Sequence, residues 1–235
     1  MLAIIRRDFR SYFKSPIAYV LIGLYMLLLG LFFNSYLGLG ISDIISEFVA
    51  SMSSMLILII PILTMRTLAE DKKNGTEVLL LTSPVRVTEI VMGKFFACFC
   101  VFLVMTAATL IFPLIVIIVG KPDIMMIISS YLGYILIGAV YISLGVFASS
   151  LTENQIIASI ITLVFMFLIQ NIGYLAGFFS GFLNKVFLWI SIFDRYMDFN
   201  KGIIDLTSIV FMISYTAVFT ILTVRIIERK RWSQG

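Results

Sequence analysis

The residues of this chain with the most chemistry to offer lie in the run 66–94, Arg-Thr-Leu-Ala-Glu-Asp-Lys-Lys-Asn-Gly-Thr-Glu-Val-Leu-Leu-Leu-Thr-Ser-Pro-Val-Arg-Val-Thr-Glu-Ile-Val-Met-Gly-Lys. It is the longest stretch that cannot cross a bilayer unaided, so it belongs in water. Within it Leu79, Leu80 and Leu81 stand side by side between charged and hydroxyl-bearing neighbours. A solvated loop has no reason to carry such a cluster, and removing each leucine from water is worth about 1.5–3 kcal/mol. Two covers suit it: a docked partner, or the headgroup layer and the chain's own helices. Thr76 is placed to cap a short helix, with Glu77 in the first turn where the helix dipole favours a carboxylate. Glu70 and Arg86 flank the cluster.

Composition narrows what this chemistry can be. At 61% hydrophobic, 13% charged and a mean hydropathy of +1.10, the chain has too little polar surface for a soluble domain and reads as an integral membrane protein. It contains no histidine, which removes histidine triads, histidine metal sites and the usual near-neutral proton shuttle. Neither a Gly-x-x-x-x-Gly-Lys-Ser/Thr loop, nor Gly-x-Ser-x-Gly, nor His-Glu-x-x-His occurs, so no catalytic, cofactor-binding or metal-ligating residues are assigned. Carboxylates lie almost wholly outside the apolar runs, which argues against a stand-alone secondary carrier. If a solute moves uphill, the energy is expected from another subunit. Gln170 and Asn171, polar within an apolar run, are expected to pair across helices or to touch a pathway. Cys98 and Cys100 point about 200° apart on one helix and are not placed to bridge.

These residues need an all-α frame of six spans. Residues 1–14 form an amphipathic interfacial helix, with Leu2, Ile5, Phe9, Tyr12 and Phe13 opposite Arg6, Arg7, Arg10 and Lys14. Ser15-Pro16 ends it and starts the next helix. Apolar runs at 17–40, 49–68, 93–119, 124–148, 155–178 and 207–227 are the expected spans, the first an uncleaved anchor because it is too long for a signal core. Pro61 is expected to kink the second span, Asn74-Gly75 to close its extension with a left-handed cap, and Ser83-Pro84 to start the helix leading into the third. Gly133, Gly138, Ala139 and Gly145 would let helices approach the fourth span. Residues 179–206 alternate short apolar stretches with charges and are expected to form outer amphipathic or re-entrant helices, with Trp189 and Tyr196 at headgroup depth. With both termini inside, thirteen of the seventeen lysines and arginines fall on inner segments and four on outer ones, which sets the orientation. The net charge of +4 therefore reports topology, and no nucleic-acid surface is expected.

The run Ala69–Arg86, followed by Glu89-Ile90-Val91-Met92-Gly93-Lys94, resembles the segment between the second and third spans of ABC type-2 transporter permeases, nearest the gliding-motility and nitrous-oxide-reductase-maturation types. Residues 193–205, Phe-Asp-Arg-Tyr-Met-Asp-Phe-Asn-Lys-Gly-Ile-Ile-Asp, resemble the gliding-motility pattern before the last span, with Tyr196 where phenylalanine is expected. The resemblance implies an exporter permease in a bacterial plasma membrane, paired with a second copy or a related permease. It also implies a pair of separate cytoplasmic ATPases that bind the ATP and Mg. Residues 70–92 become the cytoplasmic coupling segment, with the coupling helix on Thr76–Thr82 and Glu70 and Arg86 as flanking ion-pair partners. An amphipathic or hydrophobic substrate is expected, since no binding-protein dock or large outer domain is evident. The alternatives are a non-transporting partner of an ATPase-driven machine and a stand-alone carrier.

Overall fold

The computed structural model describes residues 1–38, 40–77, 85–120, 122–179 and 181–233. Among them every regular element is helical: α1 (Leu2–Lys14), α2 (Pro16–Tyr36), α3 (Ile41–Thr64), α4 (Ala69–Lys73), α5 (Val87–Thr109), α6 (Ile111–Val119), α7 (Ile124–Leu151), α8 (Gln155–Gln170), α9 (Ile172–Ala176), α10 (Phe182–Ile190), α11 (Ile192–Asn200) and α12 (Leu206–Ser233). Five stretches are long and apolar enough to cross a membrane: 16–36, 44–73, 87–119, 124–151 and 206–229. The shorter apolar helix α8 runs alongside them. The chain is an all-α, multi-pass membrane protein.

Local sequence sets most boundaries. Ser15 accepts from the amide of Ile17 at 3.5 Å, with Pro16 opening α2. Asp123 and Asn154 cap α7 and α8, each accepting an amide at 2.9 Å. Gly75 takes φ +71° after Asn74, the left-handed turn that this pair favours. Pro113 has no N–H to offer the carbonyl of Thr109, and the helix breaks between α5 and α6. The freed carbonyl accepts instead from the Tyr131 hydroxyl of α7 at 3.1 Å.

α7 is the central post. It packs against α3, α5, α8, α11 and α12, and its small residues permit the closeness. A Cβ on Gly145 would sit 2.1 Å from Thr64 Oγ1, one on Gly138 2.3 Å from Phe102 and one on Gly133 2.6 Å from Phe199. Buried hydroxyls are paired: Tyr25 donates to the carbonyl of Met52 at 3.3 Å and accepts from Tyr134 at 2.6 Å.

Four expectations change. The fifth apolar run is interrupted, because α8 stops at Gln170 and Asn171 donates its side-chain amide back to the carbonyl of Phe167 at 2.8 Å. Tyr196 does not face the headgroups: it is fully buried and donates to the carbonyl of Val49 at 2.7 Å. Helix α5 starts at Val87 after an extended Arg86, so it does not grow from Pro84. On α1 the side facing the bundle is Ile4, Asp8 and Tyr12, while Leu2 is exposed.

Candidate functional site

Between α3 and α4 the chain makes a tight turn over residues 65–68. This turn leaves amide donors that a continuous helix would have used, and Leu68 offers no side-chain cap. Ser149, at the end of α7, supplies the acceptor. Its oxygen takes the amides of Leu68 and Ala69 at 3.1 and 2.9 Å, and its own proton goes to the carbonyl of Met65 at 3.2 Å. Next to it, Lys72 donates to the carbonyl of Ser150. That bond places a cation on the C-terminal carbonyls of α7, where the helix dipole favours it. The short helix α4 is thus fastened to the central post.

A second fastening comes from Lys94, on the first turns of α5. Its side chain is 3% exposed and its ammonium faces three acceptors, the carbonyl of Thr67, the carboxylate of Asp71 and the carboxylate of Asp8 at 3.4 Å. Three protons suit three acceptors. Arg7 completes the group, 2.7 Å from Asp8 and 3.9 Å from Asp71. Two cations and two carboxylates leave the cluster neutral, the condition for keeping charges out of bulk water. Beside it Tyr12 donates to the carbonyl of Leu63 at 2.7 Å, so the thiol of Cys98 at 3.3 Å is the donor to the phenol oxygen. Burial, with the neighbouring thiol, lifts the Tyr12 phenol well above its ordinary pKa and keeps it neutral. These groups line a cavity of about 220 Å³. Gly93 lets α1 lie on α5, a Cβ there falling 3.0 Å from Ile4.

The residues singled out by sequence join this cluster unevenly. Thr76 turns back: its hydroxyl donates to Oδ1 of Asp71 at 2.8 Å. Asp71 therefore connects Thr76 to Lys94. Glu70 is held by Arg66 through two parallel bonds of 2.7 and 3.0 Å. Arg86 is exposed and has no carboxylate within 4 Å among the described residues. Glu77 keeps one carboxylate oxygen with no hydrogen-bond partner among the described residues. Leu79, Leu80, Leu81 and Ser83-Pro84 lie outside those residues. Lys94, Asp8 and Asp71 were missed as a site. An ionisable residue just inside an apolar run, as Lys94 is, was the available signal.

At the opposite end of the bundle a polar stripe runs down one face of α3. Glu47, Ser51 and Ser54 recur at helical spacing and point away from the core. Tyr36 donates to Ser51 at 2.7 Å, since the Ser51 proton goes to the carbonyl of Glu47. From α8, Gln170 donates to Ser54 at 3.4 Å, and its buried Oε1 has no partner among the described residues. Gln170 thus pairs across helices, whereas Asn171 bonds within its own chain turn.

Comparison with curated proteins gives no match. A family profile described as ABC-2 family transporter protein matches residues 40–225, beginning at the start of α3 and reaching well into α12. The apolar spans and this match over most of the chain agree, and the chain belongs to the ABC-2 family of transporter proteins.

Proposed function

We propose that this chain is the permease subunit of an ATP-driven exporter of the gliding-motility type, and that Thr76–Thr82, within the segment 70–92, docks a separate cytoplasmic ATPase through Leu79, Leu80 and Leu81. A pair of such ATPases binds the ATP and Mg, and the permease works with a second copy or a related chain. Both termini face the cytoplasm of a bacterial cell, in line with the basic residues. The observation that carries the reading is the fastening of α4. This helix stands immediately ahead of the docking segment and is tied to α7 through Ser149, to α5 through Lys94 and to α1 through Asp71 and Arg7. A push on the segment is handed to these helices at once, as a packed interface transmits displacement.

The polar stripe on α3 supports a transport role. Glu47, Ser51 and Ser54 are poorly suited to lipid, and they belong against water or a partner helix. An amphipathic or hydrophobic substrate fits a pathway whose wall passes from this stripe to Leu58, 54% exposed one turn farther along the same face of α3. Replacement of Leu80 or Leu81 by Asp leaves the protein in the membrane and removes ATPase co-purification. Undiminished co-purification would overturn the docking assignment. Substrate-stimulated ATPase activity in liposomes separates a transporter from a partner that only transmits force, which would show nucleotide-dependent movement without transport.

A further inference from the structure

At the end of the bundle away from the ionic cluster, α12 enters the membrane beside α10 and α11. Phe211, Tyr215 and Phe219 recur every fourth residue on one face of α12, their ring centroids 5.5 and 5.7 Å apart. Trp189 of α10 stands edge-on to Phe211 at 5.7 Å. The Arg195 guanidinium of α11 lies 4.2 Å from the centre of the same ring. An open groove of about 580 Å³ follows these rings down to Val218. Its ring floor spans two helical turns, about 12 Å of rise, and starts roughly 7 Å into α12. It therefore descends from headgroup level into the hydrocarbon layer.

The mouth and the floor differ in chemistry. Among the described residues, Arg195 is the one charged residue lining the groove. It donates to the carbonyl of Trp189 at 3.3 Å, and no carboxylate of the described residues lies within 4 Å of it. A guanidinium carries five donors in a planar fork that matches a phosphate, so most of its capacity is free. Below it the lining is mostly aromatic and aliphatic, and the Ser214 hydroxyl there is turned back to the carbonyl of Val210 at 2.7 Å. We propose that the groove holds an acyl chain of an anionic phospholipid of the surrounding bilayer, with the lipid phosphate on Arg195. The site is independent of the permease reading.

Trp189 reports on its own groove once the other tryptophan is removed by Trp232→Phe. The full-length protein is placed in phosphatidylcholine vesicles carrying a minor fraction of lipid brominated on its acyl chains, either phosphatidylglycerol or phosphatidylcholine at the same mole fraction. Brominated phosphatidylglycerol is expected to quench Trp189 with an apparent affinity about fivefold higher, the preference one cation near an anionic lipid confers. Arg195→Gln is expected to erase the preference. Val218→Phe, which fills the groove at an exposed position, is expected to reduce quenching by both lipids while the helical circular dichroism stays unchanged. Equal quenching in the parent, a preference that survives R195Q, or quenching untouched by V218F would each overturn the site. Absence of quenching by either lipid, with Val210→Cys cross-linking between copies, would overturn it too and assign the groove to a second copy of the chain. None of these results bears on ATPase co-purification.

Discussion

Lys94 concentrates what single residues contribute to this molecule. It holds α5 to the turn ahead of α4 and to α1, with its charge buried between Asp8 and Asp71. Removing one member of a buried ionic group leaves its partners uncompensated, at about 3–5 kcal/mol. Lys94→Met is therefore expected to lower the unfolding free energy in detergent by about 3 kcal/mol. Adding Asp8→Asn and Asp71→Asn is expected to recover much of that loss, because the stranded carboxylates are gone. A single variant as stable as the parent would show that the ammonium does not sit between the two acids. Sequence alone shows the charge of Lys94 and its place just inside an apolar run. Its partners come from helices far along the chain, and no local pattern announces such a meeting. Tyr196 misleads for the same reason: a tyrosine on a short amphipathic helix reads as interfacial, and only the packing of α11 over α3 turns it into a buried plug.

Among the elements, α7 shows how a feature can be legible in kind and unreadable in consequence. Its glycines are visible in the sequence, and so is their capacity for close packing, but glycine is common in membrane helices and most need no explanation. The structure separates those that matter. Gly145 faces Thr64 with no room for a methyl group, whereas Gly30, inside α2, has nothing within 4 Å. Gly145→Ala is expected to force α3 and α7 apart and to cost about 1–3 kcal/mol. Gly30→Ala is expected to be neutral or to stabilise by about 0.5–1 kcal/mol through the helix preference for alanine. Thermal unfolding of the two variants in the same detergent reads the difference, and an unchanged midpoint for G145A would contradict the contact. The boundaries at Ser15 and Gly75 were readable because they depend on neighbours in sequence. The stop at Gln170 was not, because apolar residues resume after Asn171 and the break is made by the Asn171 amide turning back to the carbonyl of Phe167.

At the scale of the whole molecule, the apolar runs and their order are written in the sequence, while the assembly of four helix ends into one body is not. Ser149 and Ser150 of α7, Lys94 of α5, Asp8 of α1 and the α3–α4 turn meet at one end of the bundle. If these ends move together, fixing one to another costs nothing in function. Ile4 and Gly93 allow the test, since a Cβ built at Gly93 lies 3.1 Å from the Cβ of Ile4. Disulfides need Cβ atoms about 3.5–4.5 Å apart, which a small outward shift of α1 provides. The Ile4→Cys/Gly93→Cys protein is expected to form the bridge under mild oxidation, identified by mass spectrometry of the linked peptides. The ATPase activity of its complex with the proposed ATPase partner is expected to be equal before and after reduction if α1, packed on α5, travels with it. Activity lost on oxidation and regained with reductant would mean that α1 slides over α5 during the cycle. The ionic cluster would then open with each stroke, and Lys94 would be a moving latch instead of a fixed bolt.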